Sequence, residues 1–116
     1  MSDKNDMVII DLDRPRMLWY GHKALKTLCA MTGATLETIG EKLQTGTFED
    51  IEKIMYCGLL TDAKSHNETL KLEDMEDILD TVTYSEIIEK MTLALESSLG
   101  VSEEKNNQGT VKNQKK

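Results

Sequence analysis

Apolar positions fall into a series of short patches along this chain, and the longest of them is its strongest signal. At residues 48–60 the sequence FEDIEKIMYCGLL opens with acids after its first residue and closes on an almost unbroken apolar run. Phe48, Ile51, Met55 and Leu59 recur at helical spacing, while Ile54, Tyr56, Cys57 and Leu60 widen the stripe until little polar surface remains. A helix of this kind is buried, either in its own fold or against a partner. Thr47 is placed to cap it, and Asp50 answers in a box-like start. Gly58, near the far end, marks either fraying or close packing.

The flanking patches are shorter. Residues 8–12 and 17–20 are apolar runs on either side of the turn-prone Asp13-Arg14-Pro15-Arg16, a pattern that predicts a β-hairpin. Residues 23–32 predict a helix stopped by Gly33, with Leu25, Leu28 and Met31 on one face beside Ala24 and Cys29. Thr35 is the cap expected for a short helix over 36–44, which ends before Gly46. TDAKSHNETL at 61–70 reads as a polar loop, and 72–81 as an acidic helix with Leu72, Met75, Ile78, Leu79 and Val82 inward. Thr83 and Glu86 form a capping box for the last helix, whose stripe of Tyr84, Ile87, Ile88, Met91, Leu95 and Leu99 runs to Gly100.

These elements predict a mainly α (α+β) fold: a small domain of four to five short helices with an N-terminal β-hairpin, spanning residues 7–100. Residues 1–6 are expected to be flexible. Residues 101–116 have only two valines as aliphatic side chains and are expected to form a disordered tail.

Composition sharpens the picture. The 116 residues suit one domain with one modest core. Formal charge is −7, and four lysines against two glutamates in residues 101–116 leave the rest of the chain at −9. Such a field repels phosphate backbones and leaves basic proteins as partners. Cys29 and Cys57 lie within apolar helical patterns and form no CxxC pair, so they read as small core hydrophobes in a reducing compartment. The apolar run at 7–10 is too short for a signal peptide or a membrane span, which predicts a cytoplasmic protein.

Chemistry finds little foothold. His22 and His66 stand apart from each other and from any zinc-binding spacing, and read as surface residues. No phosphate-cradling glycine loop and no GxSxG is present. Glu73, Asp74, Glu76, Asp77 and Asp80 lack the alternating ligands and central glycine of a calcium loop, and read as a solvated helix face. The expectation is therefore no catalytic residue, no metal and no cofactor. An acyl-carrier reading fails for want of an Asp-Ser-Leu attachment site. A helix-turn-helix DNA-binding regulator built on residues 36–55 is the alternative function, but its second helix would present Glu49, Asp50 and Glu52 to phosphates. Methionines Met17, Met31, Met55, Met75 and Met91 mostly sit on inward stripes and fill the core. Trp19 and Tyr20 are adjacent, so on a strand one ring packs inward and the other faces out as an anchor.

The succession of pieces resembles the tail assembly chaperones of long-tailed bacteriophages and prophages. The matching pieces are the strand region leading into RMLWYGHKALKTLCAMTG, then LETIGEKL, FEDIEKIMYCGLL, LKLEDMEDILD and YSEIIEKMTLALESSLG, together about residues 8–100. Lys71 departs from the family's usual hydroxyl cap. The resemblance implies a non-enzymatic holdase in the host bacterial cytoplasm, absent from the finished virion. It would bind the tape measure protein, keep it soluble and help tail tube protein polymerise around it. The resemblance also implies a second, longer frameshifted product as a partner, branching near residues 101–116. Nucleic acid and membrane are not among the expected partners, and self-association is left open. The residues expected to touch the client are Trp19, Tyr20, Met55, Tyr56, Leu59 and Leu60.

Overall fold

The helix that dominates the sequence also dominates the structure. In a computed structural model that describes residues 8–100, α3 (Phe48–Ser65) is the longest element and packs against nearly every other one. Thr47 starts it as expected: its hydroxyl accepts the Asp50 N–H at 3.1 Å, and the Asp50 carboxylate accepts the Thr47 N–H at 3.3 Å. Ile51, Ile54, Met55, Cys57, Gly58 and Leu59 are buried along it. The flexible N-terminus and the disordered tail expected from the sequence lie outside the described residues.

Strands β1 (Val8–Asp11) and β2 (Pro15–Leu18) form the antiparallel hairpin, with Ile10 opposite Arg16 and Val8 opposite Leu18 on the inward face. Pro15 is therefore not a turn residue; it pairs with Asp11 as the first residue of β2, a position at the ladder's end that tolerates a missing N–H. Beyond the strand the chain stays against α3, the Trp19 N–H donating to the Gly58 carbonyl at 2.9 Å. Helix α1 (His22–Thr32) closes with Gly33 in the left-handed region (φ 78°), as its position predicted.

Three boundaries differ from the sequence reading. Helix α2 (Ile39–Thr45) starts later than residue 36, because Thr35 and Thr38 form a local turn in which the Thr38 hydroxyl accepts the Thr35 N–H at 2.9 Å. Helix α3 runs on through residues 61–65, expected as loop, because Asp62 and Ala63 point inward and are buried. The acidic helix is a 3-10 turn (Leu72–Asp74) followed by a short α4 (Met75–Leu79). In place of a hydroxyl cap, the Asp74 carboxylate accepts the Lys71 N–H at 2.9 Å.

Helix α5 (Tyr84–Leu99) begins with the Thr83 hydroxyl accepting the Glu86 N–H and ends at Gly100. Ile87, Met91, Ala94 and Leu95 bury its inner face. The resulting architecture is mainly helical, with five α-helices and one hairpin among the described residues. Its core joins Ile10, Leu18 and Tyr20 to Leu28, Ile39, Leu43, the α3 stripe, Met75, Ile87 and Met91. Two residues leave the stripes that periodicity assigned them: Phe48 is 72% exposed and Tyr84 45% exposed, each at the first position of its helix.

Candidate functional site: an α1–α3 groove and its neighbours

The contact residues expected from the sequence separate into buried and accessible groups. Tyr20, Met55 and Leu59 are sealed in the core. Tyr20 donates its hydroxyl to the Ile54 carbonyl at 2.7 Å, and its ring lies against Gly58, where an added Cβ would come within 2.5 Å of it. Gly58 thus marks close packing rather than fraying. Burial, with the neighbouring Cys57, raises the Tyr20 phenol well above its ordinary range. Tyr20 ties the segment after the hairpin to α3, and none of the three presents a surface to a partner, which corrects their assignment as contact residues. Trp19 is the outward half of the pair at 42% exposure, as strand-like alternation predicted.

Tyr56 and Leu60 are half-buried. Leu60 lies on a groove of about 650 Å³ between α1, the second half of α3 and the segment that follows it. Ala24, Cys57, Ala63 and Leu70 supply the apolar part of that groove, and Lys23, Lys64 and Glu68 its charges. Trp19 and Tyr56 do not line it, so the accessible candidates do not converge on one groove. Cys57 lies beneath the floor of the groove, fully buried, with its thiol 3.7 Å from the Met31 sulfur, and burial together with the nearby Cys29 pushes that thiol up to about 11.

Beside the groove is a polar cluster that the sequence did not announce. Arg14 donates to Asp62 at 2.6 Å and to Glu68 at 2.9 Å. Arg16 grips Asp13 through two bonds of 2.7 and 2.9 Å and reaches the other Glu68 oxygen at 2.9 Å. Asp62, itself buried, also accepts the Met17 N–H at 3.1 Å. The two guanidinium groups hold the Glu68 carboxyl down to about 2, with Arg14 the larger influence, and Arg16 likewise keeps Asp13 below the usual carboxylate range. The Arg14–Asp62, Arg14–Glu68 and Arg16–Glu68 pairs fasten the hairpin to the end of α3 and the residues just after it, while Arg16–Asp13 braces the hairpin itself. Asp62 and Glu68 are some fifty positions from the arginines in sequence, and nothing local in a turn or a polar stretch signals such a pairing.

His22 is exposed at the start of α1, and His66 lies at the C-terminal end of α3 with its Nδ1 2.8 Å from the Asp62 carbonyl oxygen. Among the described residues no group of His, Cys, Asp and Glu is arranged to hold a metal ion, and no helix is long and apolar enough to cross a membrane. The outer face of α3 near its start carries Glu49 and Glu52 beside Lys53, and Asp50 is engaged by Lys42 at 3.5 Å. That face repels a phosphate backbone. Compared with known protein families, with curated proteins and with solved structures, the chain matches none.

Proposed function

We propose that this chain is a tail assembly chaperone of a long-tailed bacteriophage or prophage, acting by protein binding alone. In this reading it holds the tape measure protein in the host bacterial cytoplasm until tail tube subunits polymerise around it. What carries the proposal is the order of elements: a hairpin, α1, the short α2, the long buried α3, an acidic short helix and a closing α5. The surface is compatible with such a task. A long helical client with unpaired apolar stripes aggregates unless those stripes are covered, and helix-in-groove binding covers them reversibly. The α1–α3 groove around Leu60 offers an apolar seat with charged edges, and Trp19 offers a separate exposed anchor.

Genomic context tests the proposal without protein. A chaperone gene of this kind should carry a slippery heptamer near its stop codon and precede a very long reading frame. Neighbours devoted to replication or lysogeny would refute it.

A further inference from the structure

The two aromatic residues that leave their helical stripes meet each other. Phe48 and Tyr84 pack edge to face with ring centroids 5.8 Å apart and planes at 86°. Each follows a threonine whose hydroxyl caps its helix, so the backbone beneath both rings is fixed. A first-turn residue needs no aromatic side chain for its helix to form, and Phe48 is the most exposed large hydrophobic residue described.

Acidic side chains surround this platform. Glu49 and Glu52 stand in the first turns of α3 beside Phe48, and α4, which carries Glu76, packs on that helix; the Glu52 carboxyl is raised above the ordinary range by partial burial and then by the charges of Glu76 and Glu49. Burial and then the same Glu52 raise the Tyr84 phenol. None of these three glutamates has a basic partner among the described residues, unlike Asp50, Asp62 and Glu68. Negative charge is thus concentrated beside an exposed apolar surface, and the neighbouring Lys53 turns its ammonium to the Met31 carbonyl at 3.4 Å rather than to these carboxylates. A covering partner must supply both apolar area and positive charge.

We propose that the Phe48–Tyr84 ring pair and the carboxylates of Glu49, Glu52 and Glu76 form a docking site for a basic amphipathic helix of another protein. An apolar residue of that helix would seat on the rings, and flanking lysine or arginine side chains would cross the ring faces to end at the carboxylates. This surface is distinct from the α1–α3 groove, and the proposal holds whether or not the client is a tape measure protein.

The test is an NMR titration of the full chain with a designed Lys/Leu amphipathic helical peptide. The control is a Glu/Leu peptide with the same apolar stripe. The expected result is amide shifts concentrated at residues 47–53, 76 and 83–86, with the basic peptide binding about tenfold or more tighter than the acidic one. The paired substitution F48A/Y84A should weaken binding about tenfold while leaving the circular dichroism spectrum unchanged, since both rings are exposed. E52Q/E76Q should weaken it too and flatten its salt dependence. Shifts centred elsewhere, or unchanged affinity in F48A/Y84A, would overturn the proposal.

Discussion

Replacing Gly58 by alanine sets two physical effects against each other. Gly58 lies within α3, where helix propensity alone favours alanine by about 0.8–1.0 kcal/mol. Packing says the reverse. The new Cβ would lie 2.5 Å from Cζ of Tyr20, 2.7 Å from its hydroxyl and 2.8 Å from a Leu18 methyl, against about 3.5–4.0 Å for ordinary contact. Tyr20 has nowhere to retreat, because it is fully buried and its hydroxyl is tied to the Ile54 carbonyl at 2.7 Å. Overpacking costs about 1–3 kcal/mol, and displacing the hydroxyl from its buried acceptor costs about 1–3 kcal/mol more. After the propensity gain, a net loss near 3 kcal/mol is expected, which is on the order of a 10–20 °C fall in Tm for a domain of this size. Urea and thermal unfolding of Gly58→Ala measure it. The same change made alongside Tyr20→Leu should cost at least about 1 kcal/mol less, since the clash is shared. A Gly58→Ala protein as stable as the parent would refute the close approach of hairpin and α3.

Other consequences are equally direct. Glu68 has a folded-state pKa of about 2, below its unfolded value of about 4.3, so its contribution is complete above pH 5 or so and disappears as pH falls towards 2. Urea midpoints across that window should fall less steeply for Glu68→Gln than for the parent. Thr47→Ala removes the α3 cap and should lower stability by about 1 kcal/mol in urea. The Cys57 thiol, buried and held near 11, should react with a thiol reagent at neutral pH only as fast as the protein opens, and after the partly exposed Cys29. Equal reaction of both cysteines in the native protein would contradict that placement.

Periodicity was most informative where burial is continuous. The α3 stripe, the Thr47 cap, the Gly33 stop and the inward face of α5 all follow from spacing and capping chemistry, and the structure places them there. It was least informative where distant polar side chains decide the outcome. The tail of α3 reads as loop because TDAKS is polar, yet Asp62 is drawn inward by Arg14 and by the Met17 N–H, which belong to the hairpin far earlier in the sequence. Contact residues suffer from the opposite ambiguity. Met55 and Leu59 satisfy the criteria for a partner-facing stripe and for a core equally well, and only the packing of the other elements around α3 decides for the core. Phe48 and Tyr84 show the limit of a stripe. Helical spacing aligns them with buried neighbours, but at the first turn the neighbouring elements no longer cover that face.

Co-expression of this chain with the product of the very long downstream reading frame that the chaperone proposal requires tests that proposal most directly. The account predicts that the long protein, insoluble alone, becomes soluble and copurifies with the chain, and that Leu60→Lys, which places a charge in the α1–α3 groove, lowers the soluble yield without unfolding the chain. A long product that stays insoluble in the presence of the intact chain, or is equally soluble without it, would contradict the central claim.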